Sequence, residues 1–143
     1  VLYMSYEEGV NQSFQRRLVY LHMDEVQGRF RVTMGDTWDE LVVRLKKPKS
    51  AKFVIIDSFQ VAPWDYPEAV RLMETFPKRC FIWISQEKKS QPLGGGAVRL
   101  KYICGMKVRV VGYKAYCQGR SIGEAGSYFT VWEEGILKSS NQI

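Results

Sequence analysis

Two uninterrupted apolar runs constrain what this chain can fold into. Phe53 to Ile56 ends directly on Asp57, and Cys80 to Ile84 ends on Ser85. Apolar runs of this length, without alternating polar residues, are typical of strands that are buried on both faces of a parallel sheet. A similar run from Val1 to Ser5 predicts a third strand of the same kind.

Segments with helical periodicity lie between these runs. The first predicted helix extends from about Gly9 to Asp24. Its expected core face consists of four apolar residues at helical spacing, namely Val10, Phe14, Leu18 and Leu21. Thr37 and Glu40 form a capping box that opens a second helix, and Pro48 ends it. A third helix is expected from about Glu68 to Phe76.

This alternation of strands and helices predicts an α/β fold, with a mostly parallel twisted sheet that has helices on both faces. Further elements are a strand at Phe30 to Thr33, a helix near Ala97 to Ile103 and a strand near Met106 to Val111. The tail from Tyr113 to Glu134 predicts antiparallel strands at the C-terminal edge of the sheet. At 143 residues, the chain is expected to form a single domain over 1–143.

The composition excludes several classes of protein. No run approaches the roughly 18 apolar residues that a membrane span needs, and no signal-peptide pattern opens the chain. We therefore expect a cytoplasmic protein without a membrane partner. The three cysteines and the one histidine are scattered, which argues against a disulfide framework and a zinc site.

Positive charge is concentrated in one segment. Residues 85–120 contain eight Lys or Arg and one Glu, a net charge of +7, whereas the whole chain has +6. The basic residues are Lys88, Lys89, Arg99, Lys101, Lys107, Arg109, Lys114 and Arg120. Such a segment indicates a surface for a polyanion such as nucleic acid, although an ordinary solvated Lys-rich surface is the alternative.

Polar side chains follow three of the predicted parallel strands. Glu7 and Glu8 follow the strand at Val1 to Ser5, Asp57 ends the strand that begins at Phe53, and Gln86 follows the strand that begins at Cys80. Ligands of such sheets bind at the carboxyl ends of the strands, and Mg²⁺ is a suitable partner for a carboxylate there. The alternatives are a helix-capping or turn role for Asp57 and first-turn helix positions for Glu7 and Glu8.

Four stretches together resemble RecA-fold P-loop ATPases of the RadA and DnaB branches. "VLYMSYEEGVNQSFQRRL" is similar to the strand and helix that follow their phosphate-loop helix, with Ser, one residue and Glu after the strand. "FVIIDSFQ" resembles their Walker B strand, and "FIWISQEKK" the next strand with its polar end. "QPLGGGAVRLKY" resembles the loop and helix that often face DNA in this group.

The resemblance implies a site for ATP and Mg²⁺. Asp57, with the neighbouring Ser58, would bind the cofactor, and Asp57 would hold the magnesium through water. Glu7 would activate the attacking water, with Glu8 as the alternative. Gln86 would sense the terminal phosphate and couple it to the loop that follows.

The resemblance also implies partners. DNA, in single-stranded form, would contact the following loop and helix through Lys88, Lys89, Gly94, Gly95, Gly96 and Arg99. The protein would assemble as a homo-oligomeric ring or filament. Arg120, or alternatively Lys114, would reach a neighbouring subunit's nucleotide as an arginine finger does.

One part of the family pattern is missing, because G-x-x-x-x-G-K-[ST] occurs nowhere in the chain. Because the family places this loop before a strand like Val1 to Ser5, we expect an N-terminal truncation. The leading hypothesis is the C-terminal bulk of a DNA-dependent ATPase in recombination, replication, helicase action or mobile-element replication. A non-catalytic nucleic-acid-binding module that uses residues 85–120, or a structural subunit of an active paralogue, are the alternatives.

Overall fold

The computed structural model describes residues 1–119, 124 and 126–140. The chain divides into two compact units, Val1–Leu100 and Lys101–Ile143. The single domain over 1–143 stays a prediction. No helix in the described part of the chain is long and apolar enough to cross a membrane.

The first unit contains a four-stranded sheet. Its strands are β1 (Leu2–Ser5), β2 (Arg31–Met34), β3 (Phe53–Asp57) and β4 (Cys80–Trp83). They lie in the order β2-β1-β3-β4, and every neighbouring pair is parallel. The prediction of an α/β fold with a mostly parallel sheet is confirmed.

Four helices accompany this sheet, α1 (Gln12–Tyr20), α2 (Trp38–Lys46), α3 (Tyr66–Thr75) and α4 (Gly95–Ile103). The predicted capping box opens α2, because the Thr37 hydroxyl accepts from the Glu40 amide and the Glu40 carboxylate accepts from the Thr37 amide. A second capping box, Asp65 with Glu68, starts α3 two residues before the predicted start. Asn11 caps α1, because its side chain accepts from the Phe14 amide. Capping residues in the sequence therefore specify three of the four helix starts.

The core lies between one face of the sheet and the helices α2 and α3. Its fully buried large side chains are Met4, Leu41, Leu45, Val54, Ile56 and Leu72. Tyr3, which alternates with Leu2 and Met4, points to the opposite face, where its ring lies 6.0 Å from that of Phe14 in α1. Helices therefore lie on both faces of the sheet, α2 and α3 on one face and α1 on the other, beside Tyr3.

The predicted core face of α1 is wrong at two of its four positions. Phe14 is 7% exposed, but Val10 is 40% exposed and Leu21 61% exposed. The helix is shorter than expected, because it ends at Tyr20 and His22 adopts a left-handed conformation (φ 51°). A separate 3₁₀ turn follows over Met23–Val26.

The second unit contains an antiparallel sheet, in which β7 (Val108–Val111), β8 (Lys114–Cys117) and β9 (Tyr128–Thr130) lie in that order. Two further short strands, β5 (Glu87–Lys88) and β6 (Gln91–Pro92), form a hairpin in the first unit. The predicted antiparallel strands thus exist, but they form their own sheet instead of an edge of the parallel one. The expected strand character near Trp132 is also wrong, since α5 occupies Glu133–Ser140.

Candidate functional site

The carboxyl ends of β1 and β3 are held together at one edge of the sheet. Ser5 pairs with Asp57 in the strand register. Beyond the strand, the backbone amides of Tyr6 and Glu7 both donate to the Asp57 carbonyl, at 2.7 and 3.3 Å. The segment that carries Glu7 is therefore fixed beside the end of β3.

The Asp57 carboxylate accepts a hydrogen bond from the Tyr3 hydroxyl. Burial, together with this hydrogen bond and the charge of Asp57, raises the pKa of Tyr3 well above its usual value. Tyr3 is therefore neutral and able to donate at physiological pH.

The Ser58 hydroxyl is buried and has no hydrogen-bond partner among the described residues. Ser58 is only 1% exposed, so a ligand at this edge would not reach its side chain in this conformation.

Glu7 and Gln86 come together across the sheet edge. The Gln86 side-chain amide donates to Glu7 Oε1 at 2.9 Å, although the two residues are 79 positions apart. Both side chains are exposed and can meet a ligand. Together with Asp57, they place two carboxylates and an amide at the ends of β1, β3 and β4.

Glu8 has different partners. It forms an ion pair with Arg17 and accepts a hydrogen bond from the Asn11 side chain at 3.4 Å. Asn11 is the N-cap of α1. Glu8 is therefore engaged at the start of α1, while Glu7 contacts Gln86.

Sequence reasoning missed Gln60, which connects three segments of this edge. Its Nε2 donates to Ser85 Oγ at 2.6 Å and to the Leu93 carbonyl at 2.9 Å. Its Oε1 accepts from the Gln86 amide at 3.1 Å. The signal in the sequence is an amide side chain three residues after Asp57, which only the fold brings next to Gln86.

The loop that follows Gln86 is a hairpin. β5 and β6 pair in antiparallel fashion, and both turn residues, Lys89 and Ser90, have positive φ (50° and 64°), as a type I′ turn requires. Lys88 and Lys89 are exposed. The Leu93 amide donates to the Gln86 carbonyl at 2.8 Å and closes the base of the hairpin. Two basic side chains are thus presented on a short hairpin whose base adjoins Gln86.

The glycine run joins this hairpin to α4. Gly94 has a left-handed backbone (φ 92°), which favours glycine. Gly95 and Gly96 lie in the first turn of α4, which therefore begins two residues before its predicted start. A Cβ atom on Gly96 would lie 3.5 Å from the Phe59 ring, so this turn packs closely against the segment that follows β3.

The remaining predicted site residues lie elsewhere. The Arg99 guanidinium lies over the Tyr66 ring, 4.2 Å from its centroid. Lys114 belongs to β8 of the second unit. Arg120 lies outside the described residues, so its predicted role stays a prediction.

The oxygen ligands at this edge of the sheet can hold magnesium only together with phosphate and water ligands. The described residues contain no group of three or more His, Cys, Asp or Glu side chains that could enclose a metal ion. Mg²⁺ at phosphate sites, however, is commonly bound by one or two carboxylates, substrate phosphates and water. Asp57 fits such a site when another segment supplies the phosphate-binding groups.

Comparisons with models of protein families, with curated proteins and with solved structures found no match for this chain.

Proposed function

We propose that this chain is the larger part of a RecA-like, DNA-dependent ATPase that acts in recombination, replication or helicase reactions. The main support is the hydrogen bond between Glu7 and Gln86 beside Asp57, at the carboxyl edge of the parallel sheet. Ligands of parallel α/β sheets bind at this edge. The proposal includes a cytoplasmic location.

Each residue has a distinct task in this proposal. Asp57 would hold a hydrated magnesium ion, which would supply positive charge beside the phosphates. Glu7 accepts a proton from a water molecule, because a carboxylate within reach of the reacting water can act as a general base. Glu8 is less suitable, since Arg17 already pairs with it. Gln86 reports on the occupancy of the site through its contact with Glu7.

The open edge of the sheet supports a phosphate-loop unit outside the described elements. Among the described residues, no strand pairs with the outer edge of β4. Ile82 in this strand is 43% exposed and Phe53 in β3 is 49% exposed, whereas strands of parallel sheets are normally covered on both faces. We infer that a strand, loop and helix with the phosphate-binding sequence add at β4, next to Gln86.

The link from Gln86 to the hairpin supports coupling to DNA. Gln60 ties Gln86 to the base of the hairpin, and the hairpin exposes Lys88 and Lys89. A change at the Glu7–Gln86 contact would therefore alter the position of two phosphate-binding lysines. The active form is a homo-oligomeric ring or filament in which Arg120, or Lys114, acts on the neighbouring subunit's ATP.

An Asp57→Asn variant tests this proposal in the protein that combines the chain with its phosphate-loop unit. DNA-stimulated ATP hydrolysis should fall at least about 100-fold, because a neutral amide holds hydrated magnesium poorly. Asp39→Asn, on the exposed surface of α2, is the matched control and should keep wild-type turnover. Strong wild-type hydrolysis that Asp57→Asn leaves intact contradicts the site, and no hydrolysis by the combined protein contradicts the function.

A non-catalytic nucleic-acid-binding module is the second candidate. The absence of a phosphate-loop sequence and the exposed lysines of the hairpin favour it. In that case the chain alone binds nucleic acid, and Asp57→Asn has no effect on binding.

A further inference from the structure

The antiparallel sheet of the second unit has two chemically different faces. Residues that pair directly across neighbouring strands point to the same face. Arg109 pairs with Tyr116, and Tyr116 pairs with Tyr128, so these three side chains form one row across the sheet. Lys114 lies two residues before Tyr116 and points to the same face.

The aromatic and basic groups of this face lie close together. The Tyr116 and Tyr128 ring centroids are 5.5 Å apart, and the rings are tilted by 49°. Lys114 Nζ lies over the Tyr128 ring, 4.3 Å from its centroid. Tyr128 is 54% exposed, so its ring is accessible to solvent. The face thus combines two adjacent π-surfaces with a cation.

The opposite face is apolar. It carries Val108, Val110, Ala115 and Phe129, of which Phe129 is 73% exposed. Arg109, Tyr116, Lys114 and Tyr128 are therefore segregated on one side of a sheet only three strands wide. Phe129, directly beside Tyr128 in the chain but on the other face, provides a matched control for any test of this row.

We propose that the face formed by Arg109, Lys114, Tyr116 and Tyr128, the basic–aromatic face, binds single-stranded nucleic acid by base stacking. Unpaired bases stack on tyrosine rings with little dependence on sequence, and cations beside the rings contact the phosphates. The Lys114 ammonium group lies over the Tyr128 ring. A base that stacks on this ring displaces the Lys114 ammonium group, which then pairs with a phosphate.

Charge complementarity favours a polyanion as the occupant. The second unit has six Lys or Arg and three Glu, a net charge of +3. A duplex is a poorer ligand, because its bases are stacked on each other and are not available to the tyrosine rings. This binding site is separate from the hairpin of the proposed function and requires no ATP.

The test is titration of this chain with a fluorescent 16-nucleotide oligothymidine. Tyr116→Leu and Tyr128→Leu should each weaken binding about tenfold, as the loss of one stacked base does. Tyr128→Phe keeps the ring and should bind like the wild type. Phe129→Leu, on the opposite face, should also bind like the wild type and shows whether a leucine at this point of β9 disturbs the sheet.

The outcomes separate this inference from the proposed function. Unchanged affinity in both Tyr→Leu variants, an equal loss in Phe129→Leu, or tighter binding of a 16-base-pair duplex overturns the inference. A Lys88→Ala, Lys89→Ala double variant tests the hairpin independently. Loss of binding only in that variant overturns the basic–aromatic face and leaves the proposed function intact. Loss only in the Tyr→Leu variants supports the face and removes the hairpin as the DNA contact.

Discussion

The Gln60 side chain connects the end of β3 with Ser85, Gln86 and Leu93, and it is the residue on which coupling in the proposed site depends. Gln60→Ala removes three hydrogen bonds, each worth about 1 kcal/mol in net terms. We expect the Gln86 and Leu93 amides to exchange with solvent at least about fivefold faster in this variant, because the base of the hairpin loses its anchor. Hydrogen exchange measured by NMR reports on both amides.

Gln60→Glu makes this prediction sharper. Glutamate keeps the acceptor for the Gln86 amide but loses the donor to Ser85 Oγ and to the Leu93 carbonyl, so the Gln86 amide should stay protected in this variant. Gln15→Ala, on the exposed surface of α1, is the control. Exchange in Gln60→Ala that is as slow as in the wild type would show that the hairpin holds its position without this residue.

Single residues also show the limit of prediction from sequence. The meeting of Glu7 and Gln86 could be expected, because each follows a strand of a parallel sheet and such strand ends share one edge. The role of Gln60 could not, because it depends on the path of the chain after β3. The resemblance ranks Glu7 before Glu8, and in the structure Glu7 contacts Gln86 whereas Glu8 pairs with Arg17 on α1.

One capping box, Thr37 with Glu40, stabilises the start of α2, and its contribution to the free energy of unfolding can be measured. Thr37→Ala removes the acceptor for the Glu40 amide, and loss of such a cap costs about 1 kcal/mol. Thr37→Ser should retain most of the stability, because serine supplies the same oxygen. Thr75→Ala, at the exposed end of α3, should stay within about 0.5 kcal/mol of the wild type. Urea denaturation gives the free energy of unfolding for each variant. A Thr37→Ala loss no larger than that of Thr75→Ala would contradict this role.

Elements whose ends carry a chemical signal were predictable. α2 has a capping box and Pro48, and β3 coincides with its predicted range, Phe53–Asp57. The apolar run of β4 predicts a strand but not its place at the sheet edge, because exposure of Ile82 depends on which strands pair. The antiparallel strands were predicted at the edge of the parallel sheet, but they form a sheet of their own. The pairing of β7 with β8 follows from the turn at Gly112 and Tyr113, both at positive φ.

The charge distribution of the whole chain predicts how it binds nucleic acid. Residues 85–120 carry a net charge of +7, more than the +6 of the entire chain, so contacts with phosphates should concentrate there. The logarithm of the affinity for single-stranded DNA should fall with the logarithm of salt concentration, by about 0.7 for each phosphate that is neutralised. Five contacts would give a slope of about −3.5.

The origin of this slope can be tested with two lysine pairs of equal charge. Replacing Lys88 and Lys89 by alanine should make the slope less steep by about 1.4, since two phosphate contacts are lost. Replacing Lys46 and Lys47, an exposed pair at the end of α2, changes the net charge equally and should leave the slope unchanged. A reduction of the same size in both variants would mean that the overall charge, and not the hairpin, determines binding. A wild-type slope near zero would exclude phosphate contacts as the source of affinity.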